Sequence, residues 1–109
     1  MPLTAVQEAP PLTTHADGAV RVGGTRVTLD TVVHAYDTGA SPEEIVLSFP
    51  SLALPDVYAT IAYALRHRGE VDAYLAERAA EAEEIRRKIE ELYPTAALRQ
   101  RLRSRQAQP

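Results

Sequence analysis

No cysteine occurs among the 109 residues, which excludes disulfides, thiolate nucleophiles and thiolate-bound metal. Histidine is scarce as well. His15, His34 and His67 are kept apart by turns or by a whole helical stretch, so no imidazole cluster, metal site or cofactor site is expected. No apolar run approaches the roughly 18 residues that a membrane-spanning helix needs, and the N-terminus has no basic-then-apolar signal pattern. A cytoplasmic location with no membrane association is the expectation that follows. There is no serine beside an identifiable base and no acidic pair set apart from the abundant surface glutamates, so no catalytic residues are expected. Gly23-Gly24 lacks the Gly-x-x-x-x-Gly-Lys pattern of a phosphate loop and reads as a turn.

Positive charge is also thin over most of the chain. Residues 1–97 carry 8 basic and 15 acidic side chains, a balance of −7, whereas residues 98–109 carry Arg99, Arg101, Arg103 and Arg105 with no acid. An acidic body repels a phosphate backbone unless its few cations share one face. What the chain does have is an ordinary globular composition, 45% apolar and 25% charged, in a length that suits one domain.

Residues 1–11 hold prolines at 2, 10 and 11 without any period and are expected to form a loose arm. Residues 12–69 should form a β element followed by three helices. Leu12 to His15 and Ala19 to Val22 are candidate strands around the Asp17-Gly18 turn, and Thr25 to Leu29 alternates as a possible third, with Val27 and Leu29 inward. The first helix is predicted over 29–38, with Thr28 as N-cap, Leu29, Val32, Val33 and Tyr36 on one face, and Gly39 as terminator. The second has the clearest start. Ser41 caps, Pro42 takes the first helical position and Glu44 completes a capping box, while Ile45, Val46 and Phe49 face inward and Pro50 ends the helix. A third is predicted over 54–68, with Leu54, Val57, Ile61, Ala64 and Leu65 inward and Gly69 closing it.

A fourth helix, over 70–93, is of another kind. Val71, Tyr74 and Leu75 suit docking on the body, but Ala79, Ala82, Ile85, Ile89 and Leu92 form a narrow stripe at near-heptad spacing. Glu83 to Arg87 and Glu84 to Lys88 are expected i,i+4 ion pairs along its flanks. So narrow a stripe cannot be buried by one helix, so it calls for a partner helix or groove. Pro94 should break the helix, and the basic tail 94–109 should be disordered in isolation.

Several pieces of this sequence recur together elsewhere. Gly24-Thr25-Arg26-Val27, Gly39 to Ile45, Pro50-Ser51-Leu52 and Asp56-Val57 through Tyr63-Ala64-Leu65 resemble, in order and separation, the bacterial family known as domain of unknown function 433. The resemblance covers residues 12–78. One departure is Ala53, where the family carries a threonine cap on its third helix, a loss of about 1 kcal/mol. The resemblance implies a mainly α fold, a small homeodomain-like or winged helix-turn-helix domain with a short N-terminal β-hairpin and a long C-terminal helix. It also implies a VapB-like antitoxin of a type II toxin-antitoxin pair, in which the chain inhibits a PIN-like ribonuclease toxin and represses its own promoter. On that reading Ile85, Ile89 and Leu92 meet the toxin, and one of Arg99, Arg101 or Arg103 reaches its metal-binding carboxylates. Composition and spacing alone lead only to a small helical binding module.

For operator DNA the third helix would be the reader, with Asp56, Tyr58 and Thr60 outward near its start, and Arg21 and Arg26 on the β element touching phosphate like a wing. No arginine or lysine stands at that helix start to read guanine. Arg26 has a second reading, favoured here, in which it pairs with Asp30 or Asp37 to fix the hairpin to the first helix. The alternatives to an antitoxin are a DNA-binding regulator or a homo-oligomeric scaffold without a toxin, and a homodimer is expected under either reading.

Overall fold

The computed structural model describes residues 2–93 and 99–104. The chain is mainly helical. Strands β1 (Leu12–Thr14) and β2 (Val20–Val22) precede helices α1 (Leu29–Asp37), α2 (Pro42–Ser48), α3 (Leu54–Arg66) and α4 (Arg68–Leu92). The residues divide into two compact units, Met1–Ala73 and Tyr74–Pro109.

In the first unit the hairpin is antiparallel and pairs Leu12 with Val22, Thr13 with Arg21 and Thr14 with Val20. The expected third strand is replaced by a tight loop with a single bridge from Arg21 to Thr28. Thr25 causes this. Its hydroxyl donates to the Val22 carbonyl at 2.7 Å and accepts from the Val27 amide at 3.1 Å, satisfying locally the groups a strand would have paired. Gly23 is required beside it. Its φ is +60°, and a Cβ there would lie 2.7 Å from Asp56 Oδ2, so any side chain would be both strained and obstructed.

Apolar periodicity places the core where α1, α2 and α3 meet the hairpin. Val22, Val32, Ile45, Leu52, Val57 and Ile61 form one buried cluster, with Leu12, Val27, Ala35, Ala40, Val46 and Phe49 packed around it. These are medium-sized aliphatic side chains, so the unit depends on close fit rather than on a large aromatic anchor. Helix α2 starts as the sequence predicts. Glu44 N donates to Ser41 Oγ at 3.1 Å and Ser41 N donates to Glu44 Oε1 at 3.2 Å, with Pro42 in the first turn. Ser41→Ala should therefore cost about 1 kcal/mol in denaturant unfolding, and Ser41→Asp should restore most of it.

Thr28 stands at the expected N-cap, while the end of α3 and the placing of three apolar residues are corrected. Thr28 occupies the N-cap of α1 without a capping bond, its hydroxyl lying 3.1 Å from that of Thr31 instead. Gly69 does not close α3. It has no positive φ and lies inside α4, and the two helices are separated by His67 alone, whose ring stacks on Tyr63 at 4.4 Å. Leu54, Leu65 and Tyr36 are exposed rather than inward, because on α3 the most buried positions are Val57, Thr60, Ile61 and Ala64, and Leu54 and Leu65 sit on the flank of that arc.

Arg68 joins α1 to the start of α4. Its Nη1 and Nη2 donate to Asp37 Oδ1 and Oδ2 at 3.1 and 2.7 Å, while its Nε lies 3.0 Å from Asp72. Val71, one turn on, is buried.

The second unit contains the remainder of α4 and a helical segment over 99–104. On this part of α4 Glu83 pairs with Arg86 at 3.0 Å and Glu84 with Arg87, both at i,i+3, in place of the expected i,i+4 pairs Glu83 to Arg87 and Glu84 to Lys88. Residues 99–104 are helical where disorder was expected. Arginine, glutamine and leucine are good helix formers, so the local preference of this segment agrees with that conformation. Pro94, expected to break α4, and Arg105 lie outside the described residues.

Candidate partner-binding stripe and nucleic-acid face

The stripe on α4 is exposed along its length. Ile85, Ile89 and Leu92 retain 58%, 50% and 74% of their surface, whereas Val71 near the start of the same helix retains 3%. At 100° per residue the three side chains fall within a wedge of about 60°. Ion-paired residues flank them, so the helix is held as a helix by its charged faces while its apolar face has no cover among the described residues. The three tail arginines differ in placement. Arg99 and Arg103 stand four apart on one face of the 99–104 segment, beside Leu102, and Arg101 projects on the opposite side. All are exposed.

The residues predicted for DNA do not form one face. Thr60 is withdrawn from the set, since it is fully buried and its hydroxyl donates to the Asp56 carbonyl one turn back at 2.7 Å. Tyr58 is exposed, but its hydroxyl donates to Glu43 at 2.5 Å, which ties it to the acidic start of α2. That bond holds the Glu43 carboxyl below the usual carboxylate range and pushes the Tyr58 phenol up, so an anion lies where a phosphate would have to pass. Arg21 lies 3.9 Å from Asp17 across the turn. Arg26 is exposed, and Asp37, one of its two expected partners, is bound by Arg68 instead.

The outward positions of α3 carry little to read a base. Pro55, Ala59, Ala62 and Arg66 follow one another there, and only the last is a donor. On the adjoining flank, residues 8–11 of the arm face α3 across a cleft of about 440 Å³ lined by Glu8, Asp56, Tyr63, Arg66 and His67. Glu8 and Asp56 make that flank unfavourable for phosphate. Sequence reasoning did not place the arm beside α3, and the absence of any period over residues 1–11 left no signal to find it. Leu54 and Leu65 were also missed as surface residues, because an aliphatic residue at helical spacing reads as core.

The fork from Arg68 lowers the pKa of Asp37, chiefly by hydrogen bonding to the carboxylate. A carboxyl depressed in the folded state contributes stability above its unfolded value and loses that contribution as the pH falls through its native value. Asp37→Asn should therefore lower the melting temperature slightly near neutral pH, and the difference should shrink as the pH falls below the ordinary carboxylate range and vanish once Asp37 is protonated in the folded chain. A difference that grew on acidification would place the stabilisation elsewhere.

Among the described residues no group of three or more His, Cys, Asp or Glu side chains could hold a metal ion. No described helix is long and apolar enough to cross a membrane. No curated protein and no solved structure matches the chain. One family model does, described as a protein of unknown function (DUF433), and it spans residues 14–64. That segment begins in β1 and runs through α3 to Ala64, taking in every residue of the buried cluster, and over it the chain is similar to the DUF433 family.

Proposed function

We propose that the chain is an antitoxin of the type II class, which binds a PIN-like ribonuclease toxin through its C-terminal unit. The observation that carries this reading is the exposed stripe of Ile85, Ile89 and Leu92, followed by the paired arginines Arg99 and Arg103. Exposed apolar side chains at helical spacing fit a groove on a partner, where each buried aliphatic chain contributes about 1.5–3 kcal/mol. A nuclease that holds Mg²⁺ with clustered carboxylates presents a negative cleft when the metal is absent. Guanidinium groups make bidentate bonds to carboxylates and stay charged at any working pH, so Arg99 and Arg103 suit that cleft better than lysines would.

Repression of its own promoter is the second half of the proposal. It is supported by the exposed Arg26, and weakened by the placement of Glu43, Glu8 and Asp56 around α3. DNA contact is accordingly assigned to the toxin-bound assembly, which supplies further cations and a second copy of each contact. Co-expression with the product of the adjacent reading frame, followed by size-exclusion chromatography with light scattering, tests the main reading. A stable complex that is lost on removing residues 79–109 is expected. Retention of the complex by the truncated chain would move the interface to the helix-turn-helix unit and overturn it.

A further inference from the structure

We infer that the distal half of α4 pairs with the α4 of a second copy of this chain, as a parallel, in-register, two-stranded coiled coil over Arg78 to Leu92. This concerns the chain by itself and does not rest on the toxin reading.

The spacing of the stripe carries the first step. Ala82 and Ile89 are seven apart, and so are Arg78, Ile85 and Leu92, with the second set three residues after Leu75, Ala82 and Ile89. These are the a and d positions of a heptad. A straight helix of 3.6 residues per turn drifts away from a seven-residue repeat, so a strict repeat matches a partner helix that coils with it to the left. Ile89 at a followed by Leu92 at d is the combination that favours two strands.

The charges carry the second step by fixing the occupant and its direction. In this register Glu81 and Lys88 stand at g, and Ala79, Arg86 and Tyr93 at e. Parallel pairing of like helices sets each g position against the e position five residues on, which brings Glu81 against Arg86 of the second copy, twice by symmetry. Each contact would extend ion pairs already present within one helix, Arg78 with Glu81 at 3.7 Å and Arg86 with Glu83 at 3.0 Å. The antiparallel arrangement sets e against e and g against g instead. With the apolar stripe laid on itself, Ile85 opposite Ile89, it brings Arg86 against Arg86 and Lys88 against Lys88, a repulsion on each flank. Arg78 stands at a d position, where it bounds the apolar seam to about two heptads. So short a seam gives a weak dimer, with a dissociation constant on the order of micromolar or weaker. A partner that takes the same stripe must displace the second copy first.

The absence of native cysteine makes the direct test clean. In the parallel register two Leu92→Cys side chains face each other within disulfide reach, whereas antiparallel pairing of the same stripe places Leu92 opposite Ala82, so the two thiols lie roughly 15 Å apart along the rod. The full-length Leu92→Cys chain would be oxidised without any other protein, beside an Arg87→Cys control on the opposite face of the helix. Leu92→Cys is expected to form covalent dimer at least about tenfold faster than the control, since pairing raises the local thiol concentration. Sedimentation of the unmodified chain should show its mass rising from 11.9 kDa toward twice that value with concentration. Equal cross-linking at the two positions, or a monomer at every concentration, would overturn the inference. Neither result would touch the toxin reading, because no toxin is in the assay.

Discussion

Ile85→Glu combined with Ile89→Glu is expected to abolish the complex with the protein partner while leaving the fold of the first unit unchanged. Both isoleucines are at least half exposed in the free chain, so neither change opens a cavity there. Glutamate is a good helix former, which keeps α4 helical where aspartate would weaken it. The loss falls on the bound state alone. Two aliphatic side chains at about 1.5–3 kcal/mol each, together with two carboxylates left in an apolar groove, correspond to at least about a hundredfold weaker binding. Arg87→Ala, on the opposite face of the same turn, should change affinity by less than about 0.5 kcal/mol. Isothermal titration or pull-down reads the first effect, and a thermal melt checks that the first unit is intact. If the double glutamate variant bound normally and Arg87→Ala did not, the contact would lie on the charged face and the stripe would have another role.

What the sequence conveyed well was local chemistry. The capping box at Ser41 and Glu44, the stop at Gly39 and the turn at Asp17-Gly18 each need only residues within four positions, and each is present. What it concealed was decided by competition between neighbours or by distance along the chain. Thr25 sits in an alternating segment that favours a strand, yet one hydroxyl takes the backbone partners and turns the segment into a loop. Thr60 counts as polar by composition and so was placed outward, but bonding back to the Asp56 carbonyl satisfies its hydroxyl and lets it be wholly buried. Arg68 lies 31 positions from Asp37, and no pattern links the two. The exposed apolar stripe on α4 was legible because its signal is a period. The DNA face was not, because a reading face depends on which of several flanks of α3 the hairpin, the arm and α2 leave open. There Glu43 and Tyr58 close one flank and Glu8 with Asp56 burden another.

The second large effect lies in the core, where two aliphatic residues two positions apart on α2 should behave oppositely. Ile45 is 1% exposed within the cluster of Val22, Val32, Leu52, Val57 and Ile61, and Leu47 is 80% exposed. A strand-like reading of alternate residues would put both on the same side, but a helix turns them about 200° apart. Ile45→Ala removes three carbons from a fully buried position in this cluster, and the expected cost is about 2–5 kcal/mol. In a domain this small each kcal/mol moves the midpoint by about 4–8 °C, so a drop on the order of 15 °C should appear in a melt followed by circular dichroism. Leu47→Ala should cost less than about 0.5 kcal/mol. Ile45→Val, which keeps the branch and most of the volume, should fall between them at about 1 kcal/mol. The graded series tests the packing itself: equal losses at 45 and 47 would mean that α2 is rotated about its axis. The core at the junction of α1, α2 and α3 would then have to be built around other residues.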